Sequence, residues 1–589
     1  MAAAMSAFGI DLGTTNSCLS RFVDGAYRIV PIDGFPTVPS VVAVVGGALV
    51  VGRRALNHAM VKPGEAVRSI KRRMGETDCR VTLQGKVLSP VDVSAQILSY
   101  LKTQGEAATG ETIREVVITV PAWFNDPQRR ATLEAGARAG LKVLRIINEP
   151  TAAALAVSIT GGEAKKAEER WLVYDLGGGT FDVSILKVTG TVKEVLASCG
   201  NTFLGGDDFD HRLALHFVDL LKDHYQVDPS QDPATMAHLK FIAEATKIKL
   251  SIEPEVEVRE MLRFGEQSLE LQSTVTRHDF EGMISHHVEA TIGKVREALS
   301  QAHTNKTDVD RLLLVGGSTR IPLVHRMLQQ ELGLSPEDYV DVDLSVAFGA
   351  SIQAALDSGL TLSQIVIDVA PHTLGIAVMG REDHSLPMHD SHPMTFAPIL
   401  RKNTRLPARF TDEFMTMVDD QEKVEVAVYQ GEAAITRENT FIGSFVSDLP
   451  SMPLNSPLYV GFEYDSSGVI HVSVAVKGRN VPLKRYTMDL GKSATLNSEL
   501  VAKSSSDSDW LDAEVEDHSP AGSARVTNYL VEKVEQRLNL APDAEIAKVL
   551  AEYRDKLSRG EDGELDELED QLYEWVDLDA QAPETRGTP

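Results

Sequence analysis

The residues best equipped for chemistry stand in Arg170-Trp171-Leu172-Val173-Tyr174-Asp175-Leu176-Gly177-Gly178-Gly179-Thr180-Phe181-Asp182-Val183-Ser184-Ile185-Leu186. An apolar strand ends in a carboxylate, a glycine turn follows, and a second apolar strand begins. Without Cβ atoms the glycines turn tightly and expose consecutive N–H groups as an anion cradle. Asp175 and Asp182, at either end of the turn, are placed to hold a cation or a water beside that anion. This is the chemistry of a nucleotide phosphate with Mg²⁺. Alone, the stretch also fits an ordinary hairpin.

The pattern recurs. Ala7-Phe8-Gly9-Ile10-Asp11-Leu12-Gly13-Thr14-Thr15-Asn16-Ser17 has the same order of strand, aspartate, glycine and small hydroxyl residues. The recurrence points to a duplicated fold with one cradle from each half. A third glycine turn, Val315-Gly316-Gly317-Ser318-Thr319-Arg320-Ile321-Pro322, leads from a buried strand into a helix. Its open backbone and the helix N-terminus could receive the nucleoside end of the ligand. None of the three turns fits the Gly-Lys-Ser/Thr phosphate loop or the dinucleotide fingerprint.

The elements that position these turns follow from the rest of the chain. It has 589 residues, enough for several domains. A net charge of −27 argues against nucleic acid as the main partner, because phosphate binding needs clustered Lys and Arg. Cys18, Cys79 and Cys199 show no metal spacing and suit a reducing, cytoplasmic compartment. No apolar run is long enough to span a bilayer. Residues 6–160 and 170–358 read as two α/β lobes, with strands alternating with helices and a ligand cleft between them. Arg68-Ser69-Ile70-Lys71-Arg72-Arg73 reads by position as a solvated helix face. Residues 361–368 form an apolar hinge, and short strands with turn signals from Val369 to about Leu490 indicate an all-β sandwich. A Ser- and Asp-rich linker over 496–521 precedes a short acidic module of three helices over 522–580.

Taken together, the Asp11 cradle, Arg145–Ala154, the Asp175 cradle, Gly205-Gly206 and the Gly316 turn resemble the actin-like ATPase domain of the seventy-kilodalton heat-shock chaperones, the DnaK group. The β-region after Ile365-Val366-Ile367-Asp368 resembles their peptide-binding domain, and the short C-terminus resembles the HscC-type branch. The resemblance implies ATP or ADP with Mg²⁺, and K⁺ as a further ion. It implies that Gly13, Thr14, Thr15 and Asn16 face Gly177, Gly178, Gly179 and Thr180 around the phosphates. Asp11 and Asp175 would hold Mg²⁺ through its waters, and Lys71 would offset charge at the γ-phosphate. Thr180 and Asp182 would orient the attacking water, while Glu149 would report nucleotide state to Pro121 and Arg129. Gly205 and Gly206 join the nucleotide set, and Glu244, Lys247, Ser251, Gly316, Gly317, Ser318, Arg320 and Asp343 would surround adenosine.

In the β-region the resemblance implies a pocket of Ile376, Phe414, Val424 and Val426 under an arch of Met379 and Met417, taking an extended hydrophobic polypeptide. From the residues alone, the six fit an ordinary sandwich core. Arg145, Asn148 and Thr151 match positions that meet a J-domain cochaperone. The segment after Met74 is shorter than in DnaK and leaves a GrpE-type exchange factor open. The loop 381–398, with His384, His389 and His392, is longer than the family's pattern. The expected function is an ATP-hydrolysing chaperone. Its rivals are a weakly hydrolysing regulator or exchange factor, against which intact Lys71, Thr180 and Asp182 argue, and a small-molecule kinase, against which the β-sandwich argues.

Overall fold

The computed structural model describes residues 6–160, 166–265, 267–336, 341–360, 364–379, 394–465, 469–476, 484–487 and 546–552. The chain divides into two units, Met1–Asp507 and Ser508–Pro589. In the second, residues 546–552 are helical, and the rest of the expected acidic module, like the 496–521 linker, lies outside the described residues. So do residues 361–363 and the histidines at 384, 389 and 392.

Two sheets of matching topology build the ATPase-like part. In the first, Ala7–Asp11, Asn16–Val23 and Ala26–Ile29 form an antiparallel meander, with Glu115–Val120 and then Lys142–Asn148 added in parallel. In the second, Glu169–Leu176, Phe181–Thr189 and Val192–Asn201 repeat the meander, with Arg311–Val315 added in parallel. Each cradle falls at the same place, the turn between the first two strands of its sheet. The central strands are apolar along nearly their whole length because both faces are covered.

Sequence order assigns Ser345–Asp357 to the second lobe, but this helix lies on the first lobe's sheet. Ser20 Oγ donates to Ser351 Oγ at 2.8 Å, and Tyr27 packs on Phe348 with ring centroids 4.4 Å apart. The helix is apolar nearly all round, so no amphipathic stripe marks which sheet it serves. With Glu149–Thr160 it fills a core shared by both lobes.

Beyond the hinge, eight strands among the described residues form two antiparallel four-stranded sheets. One runs Met394–Leu400, Leu374–Met379, Gln421–Gln430, Thr440–Met452; the other Ala408–Met415, Pro457–Tyr464, Ile470–Val476, Lys484–Thr487. Their facing side chains, among them Ile376, Val426, Phe445, Phe462 and Val472, share one core. The hinge is itself a strand: Ile365–Ile367 pairs in parallel with the edge of the second lobe's sheet, Val192 opposite Ile365.

Candidate functional site

The two cradles line a cavity of about 560 Å³. Asp11, Gly13, Thr14, Thr15 and Asn16 come from one turn, and Asp175, Gly177, Gly178 and Thr180 from the other. A Cβ on Gly178 would lie 1.9 Å from Thr15 Oγ1, so the bare glycine lets the Thr15 hydroxyl lie against the second cradle. Gly179 packs beside Thr14 and Arg72. The Gly205-Gly206 turn braces the second cradle: Gly206 N–H donates to Gly177 O at 3.0 Å and Asp207 N–H to Gly178 O at 2.7 Å. Gly316, at φ 82°, swings the third turn alongside, where Ser318 Oγ donates to Gly177 O at 2.9 Å. Glu244, Lys247, Ser251, Gly317, Ser318, Arg320 and Asp343 line the same cavity, and Arg320 pairs with Asp343 at 2.8 Å.

Lys71 departs from the solvated face that its position suggests. Ile70–Arg73 is a single 3₁₀ turn entered through Ser69 at φ 53°. That geometry buries Lys71, 5% exposed, and sets its Nζ 2.5 Å from Glu149 Oε1. Arg72 and Arg73 point elsewhere, to Asp208 and Glu76.

Asp11, Asp175, Asp182 and Glu149 converge on Lys71. Burial and then Glu149 raise Asp11 to about 7. Burial, with Glu149, Asp182 and Asp11 adding to it, holds Asp175 well above the usual carboxylate range. Burial also lifts Asp182 to about 7, against the Trp123 N–H that donates to its Oδ1 at 3.0 Å. This surplus of buried negative charge fits a cation held beside phosphates. Asp11 and Asp175, both lining the cavity, supply the hard oxygen donors that Mg²⁺ takes.

Several contributors have no motif of their own. Thr119 Oγ1 donates to Asp11 Oδ1 at 2.9 Å, fixing the carboxylate from the neighbouring strand. Arg68 reaches Glu244 at 2.5 Å, joining the two sides of the cleft. Lys247 pairs with Asp210 at 2.8 Å beside Gly206. Strand parity could have placed Thr119 on a face with Asp11; the two ion pairs link segments far apart in sequence and left no local signal.

A second constellation lies where the β-sandwich meets the lobes. Asp368, at the end of the hinge strand, accepts Asn148 Nδ2 at 2.7 Å and Thr151 Oγ1 at 3.2 Å. Arg129, 4% exposed, bridges Asn148 Oδ1 to the carbonyls of Ala122 and Phe124, next to the buried Pro121. Arg145 pairs with Asp357 at 3.2 Å. Of the hinge residues, Ile365 is exposed while Val366 and Ile367 are half-buried. Asp126 N–H donates to Gln430 Oε1 at 3.0 Å, and Arg130 to Ile470 O at 3.0 Å. In the sandwich, Ile376 and Val426 are buried with Phe414 and Val424 packed on them, whereas Met417 is exposed. The side chain of Met379 lies outside the described residues.

The Hsp70 protein family model matches residues 7–81 and 76–585. The chain is 43% identical over 479 residues to the chaperone protein DnaK of Thermotoga petrophila, Thermotoga maritima and Thermotoga neapolitana, covering 79% of this chain and 77% of each relative. No described helix is long and apolar enough to cross a membrane. With two actin-like lobes around a glycine-lined cleft and a β-sandwich beyond the hinge, the chain belongs to the Hsp70 family of ATP-dependent chaperones.

Proposed function

We propose that ATP hydrolysis between the lobes drives the opening and closing of a peptide site in the β-sandwich. The observation that carries this reading is a chain of contacts. Lys71 meets Glu149; its neighbour Asn148 holds Asp368; Asp368 ends a hinge strand seated on the second lobe's sheet. A change at the phosphates therefore reaches the hinge within two residues. This is a bistable element that two sites can bias.

In this reading Asp11 and Asp175 hold Mg²⁺ through water, and K⁺ sits nearby. Lys71 offsets charge on the transferred phosphoryl group, and Thr180 and Asp182 orient the attacking water. The Gly316 turn, Glu244, Lys247, Ser251, Arg320 and Asp343 take adenosine. The ATPase domain spans 6–358, the linker 361–368 and the peptide domain 369–495, with Ile376, Phe414, Val424, Val426, Met379 and Met417 around the peptide. The short C-terminus follows the HscC-type branch, and the chaperone works in the cytoplasm. A J-domain partner meets Arg145, and reaches Asn148 and Thr151 when Asp368 leaves them. The docked hinge corresponds to the ATP-bound, peptide-releasing arrangement.

The test is stopped-flow release of a fluorescent hydrophobic peptide from the full chain. ATP with Mg²⁺ should speed release at least tenfold over ADP. Equal rates with both nucleotides would defeat the reading.

A further inference from the structure

Trp123 links the hydrolytic carboxylate to the β-sandwich. Its backbone N–H donates to Asp182 Oδ1 at 3.0 Å. Its indole is gripped by two side chains from beyond the hinge. His372 lies edge-on, ring centroids 4.4 Å apart, and Lys402 Nζ lies 4.3 Å from the indole centroid. The His372 Nε2–H also donates to the Trp123 carbonyl at 3.1 Å, so one imidazole holds both the ring and the backbone of the same residue. That bond fixes the neutral tautomer with a bare Nδ1.

The geometry points to His372 as a positioning residue that clasps Trp123 and steadies Asp182 as a neutral imidazole beside Lys402, so that adding a proton at its bare Nδ1 opposes docking of the β-sandwich on the ATPase lobes. The surroundings oppose a second positive charge. Lys402 and Arg129 repel it; the Trp123 carbonyl and Glu432 favour it, but Glu432 is already engaged by Thr373 N–H and Oγ1 at 2.9 and 2.7 Å. Burial pushes His372 down from its ordinary value to about 4. Once undocked, the ring regains water and an ordinary value of about 6.5. The sign follows: docking is nearly unaffected above about pH 7.5 and weakens as pH falls towards 4, by about twofold at pH 6.5 and about tenfold at pH 5.5. Acid would then favour the undocked chain, which keeps its peptide.

This inference rests on the proposed docking cycle, and the two fail separately. The full chain, with saturating Mg²⁺ and ATP, is assayed for ATP-triggered peptide release at pH 7.5 and 5.5, beside His372→Leu and His372→Gln. Absence of ATP-triggered release at pH 7.5 would count against the cycle itself. With the cycle intact, the native chain should lose about tenfold more release on acidification than either variant. Comparison with the variants removes the contribution of Asp182 and other titrating groups. Equal losses in native and variant chains would overturn the role given to His372. Should the leucine variant misfold, the glutamine variant carries the comparison, since it keeps a donor but does not titrate.

Discussion

Asn148 donates to Asp368 at 2.7 Å across 220 residues of sequence, tying the segment beside the Lys71–Glu149 pair to the hinge. Hydrogen bonds to a charged group are worth about 1.5–3 kcal/mol. Asn148→Ala should therefore slow ATP-triggered peptide release by roughly tenfold or more, with nucleotide affinity nearly unchanged. Stopped-flow release and nucleotide titration measure the two quantities.

The hinge strand makes a second, independent claim. Val366 is half-buried against the core shared by the lobes. Placing an unpaired carboxylate there costs several kcal/mol unless the strand leaves the sheet. Val366→Asp should abolish ATP-triggered release while ADP-state peptide affinity stays within about twofold of native. Unchanged release would show that the strand does not carry the signal.

Asp182 gives a pH dependence whose sign is set by burial. Burial raises its carboxyl to about 7, and it must be ionised to accept a hydrogen bond from the attacking water. Single-turnover hydrolysis should fall with decreasing pH, approaching tenfold per unit below the Asp182 midpoint, which lies below 7 once Mg²⁺ is bound. Asp182→Asn should be slow and flat over the same range.

Gly178 tests the cradle. A methyl group there meets Thr15 Oγ1 at 1.9 Å and Thr15 Cβ at 3.2 Å, so the Thr15 hydroxyl must turn away from the cradle and its backbone shift slightly. Gly178→Ala should weaken ATP binding at least tenfold, measurable by calorimetry, while the thermal unfolding midpoint moves little.

Much of this arrangement is legible in the sequence, and the rest is hidden for identifiable reasons. The cradles can be read because strand, aspartate and glycine are contiguous. Lys71 is not legible from position, since a single 3₁₀ turn entered through a left-handed Ser69 has no periodicity that marks one residue as buried. Ile365–Ile367 reads as apolar, but its seat beside Val192–Glu194 depends on segments more than a hundred residues apart. The Arg68–Glu244 and Lys247–Asp210 pairs join distant elements in the same way.

The central claim is coupling between the Lys71 cleft and the β-sandwich. It is tested most directly by single-turnover ATP hydrolysis, with and without excess hydrophobic peptide, in the native chain and in Lys71→Ala. The account predicts that peptide speeds hydrolysis several-fold in the native chain and that the substitution slows it by about 10²–10³, the scale of losing one preorganised charge-stabilising group. Hydrolysis unaffected by several different peptides, or a Lys71→Ala chain turning over at the native rate, would contradict it.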